Sequence, residues 1–212
     1  MSKKQFSRRP VFLFLIVFAV IAFFPVFFKV RSSLFPSYYR HEIFTQADKN
    51  QVDPLLIAAI IFRESHFRPH QISPQGDRGL MQIQPSTIVE LERVKLIPKG
   101  TYTIADLLVP ESNIAIGTLY VRYLKDKITK SSSRMRKMQQ WYNGEVWSVV
   151  LASYNAGPTL VIGQLLDNSS SKIEFERALR LKRLSTVHYV EDILRYYRSL
   201  AWMNLVYEFE KE

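Results

Sequence analysis

Residues 11–28, Val-Phe-Leu-Phe-Leu-Ile-Val-Phe-Ala-Val-Ile-Ala-Phe-Phe-Pro-Val-Phe-Phe, hold no charged or strongly polar side chain. A helix of that length spans about 27 Å, just enough for the hydrocarbon layer of a membrane. The run therefore predicts one membrane span and divides the chain into four parts: a basic cytoplasmic N-terminus (1–10), a transmembrane signal anchor (11–28), a tether (29–37) and a folded domain (38–212). A cleaved signal peptide is the competing reading, but the run is longer than a usual signal core. Lys29-Val30-Arg31 also follows it where a small-x-small cleavage site would stand. Lys3, Lys4, Arg8 and Arg9 precede the span against Lys29 and Arg31 after it, so the positive-inside bias favours a domain facing outward.

The formal charge of +10 suggests nucleic acid until its placement is considered. Seven basic residues and no acidic one lie within residues 1–40, so the remaining 22 basic and 19 acidic residues leave only +3. Arg122 to Lys137 alone supplies seven positive charges against Asp126. No broad nucleic-acid-binding face follows. The chain has no cysteine, which excludes disulfides, thiolate metal sites and cysteine nucleophiles.

Beyond the tether the periodicity is helical almost throughout. Asp53-Pro54 combines an N-cap with proline at the first helical position. The helix it opens, Leu55 to Phe62, is apolar on every face, and eight residues cannot cross a membrane, so it is expected to be buried all round. Pro69, Pro74, Gly76 and Gly79 interrupt residues 68–84, predicting a loop or a short β-hairpin. Helices are expected from Pro85, from Pro110, through Trp147 to Tyr154, and over roughly 159–167, 173–181 and 186–207. Residues 129–144 are rich in Ser, Lys and Arg and read as a loop or frayed extension. The class is mainly α.

Glu64 is the one carboxylate whose surroundings look arranged. It ends the buried helix, where low polarity and the negative end of the helix dipole both disfavour its charge and raise its pKa. A carboxylic acid still protonated near neutral pH can protonate a glycosidic oxygen, otherwise a poor leaving group. A glutamate reaching solvent as its helix ends, or pairing with Arg63 or Arg68, is the plainer alternative. His66 and His70 stand four apart, but Pro69 breaks the helix that would align them, so no metal is expected.

Four motifs in one order resemble the soluble lytic transglycosylase family of the lysozyme-like superfamily: Glu64-Ser65-His66-Phe67, the run Ser73 to Pro85 containing Gly79-Leu80-Met81-Gln82, Ala152-Ser153-Tyr154-Asn155-Ala156-Gly157-Pro158, and Tyr189-Val190 before a terminal helix. Pro110, Asn113, Ile114, Gly117 and Tyr120 resemble that family's middle helix. The similarity covers about residues 40–200. It implies a lysozyme-like α-helical domain with Glu64 as sole acid/base and Ser65 supporting it beside the reacting sugar. By the same resemblance Gly79, Leu80, Met81 and Gln82 line a sugar groove, Tyr154, Asn155 and Ala156 form its second wall, and the Tyr189 hydroxyl lies against the catalytic carboxylate. The family often has Glu-Thr shortly before that tyrosine, where this chain has Ser185-Thr186, so one supporting hydrogen bond is expected to be lost or remade.

The activity so implied is cleavage of peptidoglycan glycan strands between N-acetylmuramic acid and N-acetylglucosamine, leaving a 1,6-anhydro end, with no metal or organic cofactor. The site would face the periplasm or cell wall, and the membrane contact would be residues 11–28. Most glycosidases use two carboxylates; the nearest second one is Asp77, readable as a turn former beside Gly76 or as the holder of a water in a hydrolase resembling goose-type lysozymes. A catalytically idle peptidoglycan-binding module is the rival from another class.

Overall fold

In the computed structural model, which describes residues 39–209, the first helix, α1 (Arg40–Asn50), buries Ile43, Ala47 and Asn50 and ends at Gln51 in a left-handed conformation. Two residues later the Asp53 side chain accepts the Leu55 N–H at 2.8 Å and opens α2 (Pro54–Ser65). The other Asp53 oxygen accepts the Tyr197 hydroxyl at 2.7 Å, so the cap also ties α2 to the last helix, α8 (Leu184–Phe209). Every residue from Leu56 to Ile61 is buried, as the all-round apolar pattern predicts. α2 lies against α1 and α8. Truncating Ile60 or Ile61 there would cost about 2–5 kcal/mol.

Around this axis stand α3 (Pro85–Arg93), a 3₁₀ turn at Ala105–Leu108, and the long α4 (Pro110–Thr129), which packs on α1. They are followed by α5 (Ser132–Tyr142) and α6 (Trp147–Ala156), a π-helical segment (Thr159–Leu166) and α7 (Lys172–Lys182). α6 bridges α4 and α8. The architecture is mainly α.

One pair of alternatives is resolved and one expectation is corrected. The possible hairpin is a loop with two isolated antiparallel bridges, Ile72 with Arg78 and Arg78 with Ile83, and no paired strands stand among the described residues. The stretch 129–144 is not a loop, because its core is the helix α5. Two of its cations are engaged from outside the stretch: Arg134 forks onto Asp167 at 2.8 and 2.9 Å, and Lys137 donates to the carbonyls of Leu166, Asp167 and Ser169. Met138 supplies the buried anchor.

Among the described residues no helix is long and apolar enough to cross a membrane. The 11–28 span, the basic 1–10 segment and the 29–37 tether lie outside the described residues.

Candidate active site

Glu64 occupies the last turn of α2, and the chain leaves that helix through His66 and Phe67, both with positive φ. This double left-handed exit turns the backbone sharply into the 66–84 loop and brings the loop back over the helix end. The returning wall is fixed by Asn113 on α4, a fully buried amide. Its Oδ1 accepts the Met81 N–H at 2.7 Å, and its Nδ2 donates to the Arg78 and Leu107 carbonyls at 2.8 and 2.7 Å. Gly79 (φ 77°) leaves the room for that amide; a Cβ there would collide with Asn113 and with the Leu107 carbonyl oxygen. One turn further along α4, Gly117 makes the seat for the Met81 side chain.

The pocket so formed holds about 260 Å³ and is lined by Glu64, Asp77 and Gln82 on one side and by Tyr154, Asn155 and Gly157 on the other. Tyr189, buried on α8, donates its hydroxyl to Glu64 Oε1 at 2.6 Å. Burial raises the Glu64 carboxyl from its ordinary 4.5 to about 7; the Tyr189 bond and the Arg63 charge oppose the rise, and the Asp77 charge adds to it. Burial and the adjacent carboxyl likewise hold the Tyr189 phenol far above its ordinary value, so it stays a donor. Neither cation proposed as a plain partner for Glu64 plays that part: Arg63 pairs with Asp192 at 3.3 Å and covers the Tyr189 ring, while Arg68 Nε donates to the Ser65 carbonyl.

The other predicted residues divide into two groups. Gln82, Tyr154, Asn155 and Ala156 line the pocket with Glu64. Ser65, Leu80 and Met81 have fully buried side chains, and Ser65 Oγ bonds the carbonyls of Ile61 and Leu80, joining the helix end to the loop. Tyr154 joins the two walls by donating to the Met81 carbonyl at 2.7 Å. Asn155 Oδ1 accepts the buried Thr186 hydroxyl at 2.7 Å, so the threonine of Ser185-Thr186, the half that keeps the expected pattern, supports the second wall. Sequence reasoning missed what Asn113 does. Its signal was a polar amide one turn before Gly117 on an otherwise apolar helix face.

Asp77 accepts the Ser73 hydroxyl through Oδ2 at 2.9 Å, while its buried Oδ1 has no hydrogen-bond partner in the protein. Among the described residues no cluster of three or more His, Cys, Asp or Glu is placed to hold a metal ion.

Residues 41–175 match the Transglycosylase SLT domain family. The chain belongs to that family. Tyr189 lies beyond the matched span of the SLT domain, and the fold returns it to Glu64. Among curated relatives, the chain is 30% identical over 172 residues to the membrane-bound lytic murein transglycosylase F of Hahella chejuensis, covering 74% of this chain and 31% of the relative. To the soluble lytic murein transglycosylase of Escherichia coli K12 it is 36% identical over 139 residues, covering 65% of this chain and 19% of the relative. The chain thus spans under a third of the length of either. Among solved structures, the 70 kDa soluble lytic transglycosylase of Escherichia coli superposes with a TM-score of 0.61 at 27% identity, over 78% of this chain and 24% of that one. A 70 kDa soluble lytic transglycosylase in complex with bulgecin A gives 0.62 at 26% identity, over 79% and 25%. The SLT fold here is accordingly the mainly helical, lysozyme-like one.

Proposed function

We propose that the chain is a peptidoglycan lytic transglycosylase that cuts the β-1,4 bond between N-acetylmuramic acid and N-acetylglucosamine, with Glu64 as sole acid/base. The observation that carries this reading is the hydrogen bond from Tyr189 to Glu64, the carboxyl that lines the pocket. The phenol occupies one carboxyl oxygen as acceptor, which leaves the other to hold the proton, and burial keeps that proton on up to about neutral pH. Glu64 donates it to the glycosidic oxygen as the bond to the anomeric carbon breaks. The substrate's 2-acetamido oxygen shields the cation-like centre. The carboxylate then removes the proton of the C6 hydroxyl, whose oxygen bonds to the same anomeric carbon. This intramolecular attack has a high effective molarity and closes the 1,6-anhydro ring without adding water. Gln82 and Asn155 on the pocket walls would hold the sugar's amide groups; Asn155 Nδ2 remains for them after Oδ1 has taken the Thr186 hydroxyl.

A second reading has one observation in its favour. Asp77 shares the pocket and presents a buried oxygen without a protein partner, which suits a carboxylate that holds a water for hydrolysis. Mass spectrometry of digested cell wall separates the two, because anhydro ends are lighter than hydrolysed ends by one water. Anhydro ends are expected; reducing ends alone would leave the hydrolase. Residues 11–28 would anchor the enzyme with the domain from residue 38 outside the membrane. The chain should resist carbonate extraction, and a mature form starting near residue 30 would defeat the anchor.

A further inference from the structure

The outward side of α7 carries Ile173, Arg177, Arg180 and Leu181, at the i, i+4, i+7 and i+8 spacing that keeps residues on one side of a helix. Phe175 and Leu179 face the other way and are buried. Lys182, Arg183 and Leu184 prolong the exposed side around the corner into α8, and Ile173 and Leu181 are each 78% exposed. Arg177, Arg180, Lys182 and Arg183 stand there without an acidic residue between 177 and 184. Among the described residues none of these four meets a carboxylate or donates a side-chain hydrogen bond. The carboxylates of α7 itself are engaged elsewhere: Glu174 accepts the Ser170 N–H and hydroxyl, and Glu176 meets Lys172 and the Tyr142 hydroxyl. A single exposed Leu needs no explanation. Three large aliphatic side chains among four unanswered cations on one continuous face are the composition of a helix that lies in a lipid interface.

We infer that the α7–α8 corner rests on the anionic phospholipid headgroups of the membrane that residues 11–28 cross. The inference relies on the anchor reading above. The tether, residues 29–37, can reach no more than about 30 Å, so an anchored domain stays close to the headgroups. The chain also enters the domain at the right end: Tyr39 stacks on Phe67 just past α2, while Tyr189, near the start of α8, bonds Glu64 in the last turn of the same helix. Cations alone would suit any polyanion. The aliphatic side chains among them select lipid, because they can sink between headgroups whereas a soluble polyanion leaves them in water. Thr186, two residues past Leu184, holds the pocket wall at Asn155. The contact therefore keeps the Glu64 pocket low over the bilayer, beside the glycan strands nearest to it.

Because the chain has no cysteine, Leu181→Cys gives the full chain a single position for a polarity-sensitive fluorophore. The labelled chain is reconstituted into bilayers of neutral phosphatidylcholine or of phosphatidylcholine with phosphatidylglycerol. A blue shift is expected with phosphatidylglycerol at low salt, lost at high salt and absent from the neutral bilayer. Adding Arg180→Ser and Arg183→Ser should lower the docked-to-free ratio roughly thirtyfold, about fivefold for each cation near an anionic surface, with Tm unchanged because neither side chain holds the fold. No shift with phosphatidylglycerol, an equal shift in the neutral bilayer, or a shift indifferent to the two Ser substitutions would overturn the inference. A shift with soluble polyglutamate and none with lipid would overturn it in favour of an acidic protein partner. The anchor is read separately by flotation of the full chain with neutral vesicles. A chain that floats only with anionic vesicles, and still gives the salt-sensitive shift, would defeat the anchor and uphold the contact.

Discussion

The end of α2 and the basic helix α5 both concentrate ionisable groups, and they treat charge in opposite ways. At the end of α2 a single carboxyl is taken out of water, given one phenol and no ion pair, and left with a pKa near 7. In and around α5 four of the seven cations are answered by the fold. Arg122 and Lys130 both pair with Asp126 at 2.9 Å, Arg134 with Asp167, and Lys137 caps the carbonyls that end the π-helical segment. An ionisable group stabilises a fold when its charge is answered and becomes chemically available when it is not. A dense run of charge is therefore a weaker sign of function than one carboxyl isolated by its surroundings.

The largest effect that would break this contrast lies in catalysis. Glu64→Gln keeps the shape and still accepts the Tyr189 hydrogen bond, but it has no proton to transfer, so turnover of glycan strands should fall by about 10²–10⁴-fold while strand binding persists. Measured by release of anhydro ends, a Gln variant within tenfold of wild type would show that Glu64 is an ordinary buried side chain. It would also leave the binding-module reading standing if wild type itself did not cut.

The same variant sharpens the contrast through stability. The folded pKa of Glu64, about 7, lies above its ordinary 4.5. Its stabilising contribution is therefore complete below about 4.5 and is lost as pH rises through 7, where folding must bury a charge. A shift of this size corresponds to on the order of 3 kcal/mol. Glu64→Gln should consequently be more stable than wild type at pH 9 in urea unfolding, with the advantage shrinking as pH falls through 7 and levelling off below 4.5. A difference that does not vary with pH would mean that the carboxyl titrates in the folded protein as it does in the unfolded chain.

Answered charges should behave in the opposite way. Lys137→Met keeps the length of the side chain but strips three carbonyls of their shared donor at the end of the π-helical segment. Unfolding free energy should fall by about 1–3 kcal/mol with activity per folded molecule preserved. Unchanged stability would show that water replaces the ammonium without cost and that α5 carries charge for some other purpose.

Much of this was readable from the residues, for reasons that differ between elements. The Asp53-Pro54 start and the burial of Leu56 to Ile61 follow from local rules, a cap followed by an apolar run, and the structure keeps both. The loop at 68–84 was legible because Pro and Gly act locally. α5 was not, because its helix depends on Asp167 and on the carbonyls of Leu166 to Ser169, about thirty residues away in sequence. The site divides in the same way. Glu64, Tyr154, Asn155 and Tyr189 were found together, yet Ser65, Leu80 and Met81 turn inward. Motif position cannot tell a side chain that faces a ligand from one that holds the wall behind it. Asn113 is the extreme case, with three hydrogen bonds that exist only once α4 lies under the loop.

The smallest expected effect concerns whether α5 also meets a membrane or the anionic wall, as its interleaved Met135, Met138, Trp141 and Tyr142 suggest by composition. Met138 is fully buried, Trp141 stacks on Phe175, and the Lys137 and Lys172 ammoniums lie over Trp141 and Tyr142, so the apolar and aromatic groups are largely engaged within the fold. Arg134 and Lys137 cannot be removed cleanly, because they hold the fold. Lys130 and Arg136 reach solvent and can be. Each cation close to an anionic surface is worth about 1 kcal/mol, so if this helix docked there, changing both to Ser would weaken binding to anionic vesicles by roughly thirtyfold at low salt. A chain beginning at residue 38 and carrying Lys130→Ser and Arg136→Ser should instead lose less than about threefold, because a solvated face gives up only long-range attraction that salt already screens. A thirtyfold loss, abolished at high salt, would make α5 a docking surface and erase its contrast with the end of α2.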